Sequence, residues 1–161
     1  MIKNDPKVIN AWCMYDWSVS VYNLTIVSSI FPIYFSHTAI NPGSTDLVGF
    51  LGFEIKNSVL FSYALSFTFM LIAIFSPILT AIADYSGRKK VFMRFFCLIG
   101  SLACSLMYFF KEGTDTIFVI VLFIIAGLGF SGSFVFYNAY LPEIATEDRF
   151  DRISARGFSM G

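Results

Sequence analysis

DYSGRKK, residues 84–90, concentrates four of the chain's 22 Asp, Glu, Lys and Arg residues in seven positions. Before it, residues 59–83 carry no charge; after it, residues 91–110 carry only Arg94. A spanning helix needs about 20 apolar residues. A short basic turn between two such runs therefore reads as the connection between two membrane helices. Two more runs complete the pattern, 17–35 and 117–141, both uncharged. The sequence predicts an all-α membrane protein with four transmembrane helices, at about 17–35, 59–83, 91–110 and 117–141.

Composition points to the same solvent. The 161 residues are 57% hydrophobic and 14% charged, with twenty Phe and a mean hydropathy of +0.71. An average soluble domain is about a quarter charged. A water-soluble fold of this size lacks the interior to hide so much apolar side chain, so the first partner implied is the lipid bilayer. Net charge is zero, which leaves no bulk basic character for nucleic acid. Cys13, Cys97 and Cys104 are an odd set without a disulfide framework, and read as small apolar packing. Run 17–35 follows acidic as well as basic residues, is too long for a signal-peptide core and has no A-x-A site after it; it is a retained helix.

Lys and Arg set the orientation. With the N-terminus inside, Lys3, Lys7, Arg88, Lys89, Lys90, Arg94, Arg149, Arg152 and Arg156 are cytoplasmic, and only Lys56 and Lys111 are outside. That asymmetry satisfies the positive-inside rule and makes residues 84–90 a cytoplasmic turn. Outside lies a long loop, 36–58, with the turn signal Asn41-Pro42-Gly43 and a stretch, 47–55, apolar enough to lie on the membrane surface. The turn 111–116 is short. After Pro142 the charged stretch PEIATEDRFDRISARG is either a short interfacial helix with Thr146 as N-cap or a polar loop.

Few residues offer chemistry. Asp16, Ser20 and Asn23 are spaced i, i+4, i+7 and form one polar stripe on the first helix. Two readings are open for Asp16. As an N-cap it suits the helix dipole at the interface; as the head of a buried stripe it faces a cavity or another helix, since a carboxylate inside lipid is costly. In the fourth helix, Gly127/Ser131 and Gly129/Ser133 are small-xxx-small pairs that admit close helix approach. Asn138 lies near its cytoplasmic end, at a depth similar to Asp16 and Ser20. Pro77 predicts a kink in the second helix. The sequon at Asn23 lies inside a span and is discounted. His37, the single histidine, reads as a solvated loop residue and cannot build a metal site. No P-loop, H-E-x-x-H or nucleophile elbow occurs, so neither an enzyme nor a cofactor is implied.

The stretch TAIADYSGRKK, residues 80–90, resembles the signature between helices 2 and 3 of the major facilitator superfamily, G-x-x-x-D-(R/K)-x-G-R-(R/K)-(R/K). Asp84, Gly87, Arg88, Lys89 and Lys90 match; Thr80 stands where the signature has Gly, and Tyr85 where it has a cation. A glycine such as Gly87 can take the left-handed conformation of a tight turn, and Arg88, four residues after Asp84, is placed to pair with it. AWCMYDWSVSVYN, residues 11–23, and FYNAYLPEIATEDRFDRISARGFSMG, residues 136–161, look like helix 1 and the end of helix 4 in one subfamily. It comprises bacterial transporters similar to the fungal vacuolar, autophagy-related amino-acid effluxers.

The resemblance implies the first part of a twelve-helix fold of two six-helix halves, with the chain as its N-terminal fragment. It implies that helices 1 and 4 line a central cavity, so that Asp16, Ser20, Asn23, Tyr137 and Asn138 are candidates for contact with substrate or protons. Asp84, Gly87, Arg88, Lys89 and Lys90 become a conformational latch. The implied function is secondary transport by alternating access, of amino acids or other small solutes, with protons as a coupling ion, in the inner (plasma) membrane with the N-terminus cytoplasmic. The rival reading is a complete four-helix membrane protein with a structural or pore-forming role as an oligomer.

Overall fold

Asp5 and Pro6 fix where the first helix begins. In the computed structural model, which describes residues 3–39, 46–111 and 115–161, the Asp5 carboxylate accepts from the Lys7 N–H at 2.9 Å and Pro6 occupies the first turn of α1, Pro6–Val21. An aspartate N-cap followed by proline is a strong start signal. The expected start at residue 17 is thus too late, and the N-cap reading of Asp16 is overturned: Asp16 lies well inside the helix. Hydropathy registers only the bilayer-length run. Residues 6–16 are an amphipathic extension that buries Ile9, Trp12, Cys13 and Asp16 on one face.

The rod continues through Tyr22–Ile30 in π-helical geometry and then as α2, Phe31–Thr38. The widened register shows in side chains as well as backbone. Ser28 Oγ donates to Asn23 O and Ser29 Oγ to Leu24 O, each at 3.0 Å, and the Phe31 N–H donates to Ile26 O. These are i to i−5 bonds, the mark of a π segment. His37 falls in the last turn of α2 rather than in a loop.

Residues 47–56, expected only as an apolar stretch of the outer loop, form a hairpin, β1 Leu47–Phe50 with β2 Phe53–Lys56, paired antiparallel with Phe50 opposite Phe53. Leu51 and Gly52 have φ of 51° and 84°, the two positive values of a type I′ turn. Strand alternation turns Val48 inward, fully buried with Phe31, Phe35, Leu60, Phe110 and Phe123. The Asn41-Pro42-Gly43 signal lies outside the described residues.

Helix α3, Asn57–Ser86, runs through Pro77 without interruption. Gly87, at φ 62° and ψ 17°, closes it in the left-handed conformation that glycine adopts without strain. Arg88 leads directly into α4, Lys89–Leu106. Helix α5, Thr116–Ile144, passes beyond the expected end at residue 141. Pro142 removes one backbone donor, and the last turn is still closed by the Ala145 N–H to Leu141 O at 3.1 Å. The charged stretch after it becomes a 3-10 turn and α6, Phe150–Met160. Thr146 precedes it without a capping bond, because Asn4 occupies it: Asn4 Nδ2 donates to Thr146 Oγ1 at 2.9 Å and the Thr146 N–H to Asn4 Oδ1 at 3.2 Å.

Helix α5 is the centre of the bundle. It meets α4 where Gly100 and Gly129 bring the two backbones together, and α3 where Gly127 faces Thr68. Four helices, Pro6–Thr38, Asn57–Ser86, Lys89–Phe109 and Thr116–Ile144, are long and apolar enough to cross a membrane. Their outer faces expose large apolar side chains, among them Phe69, Ile74, Leu98 and Leu102. Such a surface is tolerated in lipid and not in water. Two cores close the ends: the hairpin-end cluster around Val48, and a turn-end cluster of Ile9, Trp12, Cys13, Tyr137, Ile144 and Ile153.

Candidate functional site

The turn-end core holds the molecule's most unusual side chain. Asp16 is 4% exposed, and no Lys, Arg or His among the described residues forms an ion pair with it. Tyr137, fully buried on α5, directs its hydroxyl toward this carboxylate, and that hydroxyl makes no hydrogen bond of good geometry among the described residues. Trp12 fixes the Tyr137 ring. Their planes stack at 4.3 Å, and Trp12 Nε1 donates to Tyr137 O at 3.2 Å. Tyr15 also stacks on it, at 5.3 Å.

Helix α6 covers the cluster with two glycines one turn apart. A Cβ on Gly157 would lie 2.7 Å from the Trp12 ring and 3.3 Å from Tyr137 Oη. One on Gly161 would lie 2.7 Å from Ser20 Oγ and 2.8 Å from Asp16 Oδ2. At Gly157 the obstacle is the stacked Trp12 ring, so hydrogen is needed there; at Gly161, the C-cap of α6, it is the movable ends of Ser20 and Asp16.

The structure therefore brings Asp16, Ser20 and Tyr137 together and separates Asn23 and Asn138, both exposed. Asn23, the second residue of the π segment, lies beyond the part of the stripe that the end of α6 covers. Asn138, the residue after Tyr137, is turned about 100° around α5. Sequence reasoning missed Trp12, Tyr15, Gly157 and Gly161. The glycine spacing, small-xxx-small on an amphipathic helix, was the available signal.

A groove of about 470 Å³ runs beside this cluster between α1, α4 and α5. The lining is largely apolar, with Cys97, Ser101, Cys104 and Ser133 facing Tyr15 and Tyr22. The hydroxyls of both tyrosines are buried, with no hydrogen bond of good geometry among the described residues. Among the described residues no three His, Cys, Asp or Glu side chains converge on a metal site.

The α3–α4 turn carries the second constellation. Asp84 pairs with Lys89, Nζ to Oδ1 at 2.8 Å, rather than with Arg88. Gly87 reverses the chain and spends Arg88 on the connection, so the first residue of α4 is the one directed back across the turn. Lys89 Nζ also reaches Glu143 Oε1 at 3.5 Å and donates to Ala139 O at 3.3 Å, both on α5. One ammonium group thus ties the ends of α3, α4 and α5. Its side chain is 18% exposed, against 53% for Asp84 and 42% for Glu143. Arg88 and Lys90 are exposed and outside the bridge. Thr80, in place of the signature glycine, donates its hydroxyl to Ser76 O at 2.8 Å within α3.

Four helices long and apolar enough to cross a bilayer, with a charge bridge at their shared end and a buried carboxylate on the first, define a multi-pass membrane protein. The chain belongs to the family described as vacuole effluxer Atg22 like, which matches residues 4–157. It is 31% identical over 161 residues to the uncharacterized MFS-type transporter YxiO of Bacillus subtilis (strain 168), covering 100% of this chain and 36% of that protein. Autophagy-related protein 22 of Coccidioides immitis (strain RS) is 23% identical over 176 residues, 88% of this chain and 29% of the relative. The Neurospora crassa protein of the same name is 27% identical over 158 residues, 84% and 21%. The chain thus spans about a third or less of the length of these curated relatives. No solved structure matches it. The four spans form the first part of a major facilitator fold.

Proposed function

We propose that this chain forms the opening helices of a secondary transporter that works by alternating access, moving amino acids or other small solutes across the plasma membrane, with protons as the coupling ion. Its N-terminus and the α3–α4 turn are cytoplasmic, as the distribution of Lys and Arg favours. Transport rather than enzymatic chemistry is the activity supported, through kinship with proteins named as transporters and effluxers.

The observation that carries the mechanism is the Lys89 bridge. Alternating access requires helix ends that are held in one state and released in another. A partly exposed ion pair is worth about 1 kcal/mol or less, enough to bias a two-state equilibrium about fivefold and weak enough to break in each cycle. Asp84 and Glu143 supply the anions, Lys89 the cation, and Gly87 the reversal that aims it.

Asp16, Ser20 and Tyr137 are the substrate or proton contacts in this reading. Among the described residues Asp16 is the one buried carboxylate, and α6 controls its access to solvent. Asn23 and Asn138 present their amides on outward faces of the first span and α5, where another part of a complete transporter is their partner. The test is uptake or efflux of labelled amino acids in vesicles carrying the full-length gene product. Saturable transport that Lys89→Gln slows and Arg88→Gln leaves near normal supports the reading. Equal rates for both variants and the wild type remove the latch from the mechanism.

A further inference from the structure

Arg88, Lys90 and Arg94 are exposed, and none forms an ion pair or side-chain hydrogen bond among the described residues. Lys89, between them, is consumed by the internal bridge. Lys90, Arg94, Leu98 and Leu102 recur at four-residue steps, so they lie along one edge of α4. Val91 and Phe95 widen the same face. These four apolar side chains are exposed: Val91 59%, Phe95 56%, Leu98 71% and Leu102 62%. The face is therefore cationic at its turn end and apolar for the rest of its length. Lys90 to Leu102 spans ~18 Å at 1.5 Å per residue, slightly more than one leaflet of a hydrocarbon core about 30 Å thick. Tyr85, 97% exposed in the last turn of α3, marks the headgroup level beside it, where amphipathic aromatic rings collect.

We propose that this face of α4 is a binding site for an anionic phospholipid, whose phosphate is held by Lys90 and Arg94 with Arg88 at the edge and whose acyl chain lies on Val91, Phe95, Leu98 and Leu102. Charge complementarity selects an anion, and the adjoining lipid-depth apolar stripe selects one that carries a chain. A soluble phosphate satisfies only the cations. The long stems of Lys90 and Arg94 let their charges reach the headgroups from the first turns of a span. The bound lipid would hold the N-terminal turn of α4 in place, and with it the Lys89 ammonium one residue from Lys90.

The experiment is native mass spectrometry of the full-length gene product in neutral detergent, titrated with phosphatidylglycerol and, separately, phosphatidylcholine. The wild type should retain phosphatidylglycerol preferentially. The double variant Lys90→Gln/Arg94→Gln should lose that affinity by about 30-fold, from about 1 kcal/mol for each cation near a charged surface. Arg94→Lys, which keeps the charge, should retain it, and Lys3→Gln/Lys7→Gln should not matter. Circular dichroism confirms that the double variant is folded. Unchanged phosphatidylglycerol binding by the folded double variant overturns the proposal. So does equal retention of the two lipids by the wild type, or displacement of phosphatidylglycerol by low-millimolar inorganic phosphate, which makes the site one for free anions.

Discussion

Replacing Gly129 with alanine tests the α4–α5 packing at the centre of the bundle. The added Cβ collides with Gly100 Cα, and lies 2.5 Å from Gly100 N and 2.8 Å from Phe96 O. Carbon atoms in contact rest about 3.5–4.0 Å apart, so α4 and α5 must part by about 1 Å at the crossing. The colliding atoms are backbone and cannot swing aside as a side chain does. The separation also loosens the neighbouring contacts of the same seam, where the Phe136 ring packs at 5.5 Å from Phe92 and 5.8 Å from Phe96. Inserting a methyl group into a packed core costs about 1–3 kcal/mol, and the upper end is expected here. Gly127→Ala is the internal control. Its Cβ would meet Thr68 Cγ2 at 2.7 Å, a side-chain methyl that can move at the expense of the Thr68 hydroxyl bond to Ala64 O. The assay is the thermal unfolding midpoint in one detergent for wild type and both variants, with transport in vesicles alongside. Gly129→Ala should fall by several degrees and Gly127→Ala by less. A Gly129→Ala protein that unfolds within a degree of wild type, or above Gly127→Ala, refutes the claim that the two backbones meet at this point.

Five further outcomes are expected. Asp5→Ala should cost about 1 kcal/mol through the lost N-cap and leave transport per folded molecule unchanged, whereas Asp16→Asn should change the pH profile of transport or abolish it; an unaltered profile in Asp16→Asn removes the carboxylate from the proton or substrate path. Gly161→Leu should lift α6 from Asp16 and Ser20 and increase labelling of a cysteine placed at Ser20; labelling equal to that of the parent contradicts the covering role of α6. In a background lacking Cys13, Cys97 and Cys104, an impermeant thiol reagent applied outside the cell should label Glu54→Cys and spare Ser86→Cys, and the opposite pattern inverts the topology. Leu51→Asn should stabilise the hairpin by a fraction of the roughly 1–3 kcal/mol that a non-glycine residue at positive φ stores; a lower unfolding midpoint argues against the type I′ turn.

Much of this was legible in residue order. The four spans follow from uncharged runs, which a bilayer reads one segment at a time. The reversal at Gly87 follows from a single glycine between two helices. The resemblance carried by residues 80–90, 11–23 and 136–161 leads to the family that the whole-chain comparison shows. These are local properties: hydropathy, a turn residue and a motif need no knowledge of what lies across the bundle.

Pairing is different, because it depends on helix phase and on where two helices cross. Spacing alone favours Arg88 as the partner of Asp84; the reversal at Gly87 awards that place to Lys89 and adds Glu143 from a helix more than 50 residues away. Asp16, Ser20 and Asn23 share one helical face by spacing, yet only Asp16 and Ser20 meet the end of α6, while Asn23 is exposed. The N-cap of the first span moves to Asp5 because Ile9, Trp12 and Cys13 find a partner surface on α5 and α6, which no window of hydropathy contains. The sequence by itself determined which segments enter lipid and which family they belong to, since burying an apolar run in a bilayer is decided residue by residue. Only the tertiary structure decided which polar groups meet inside, since each of those contacts is made by two helices whose relative rotation is set by glycines and rings far apart in the chain.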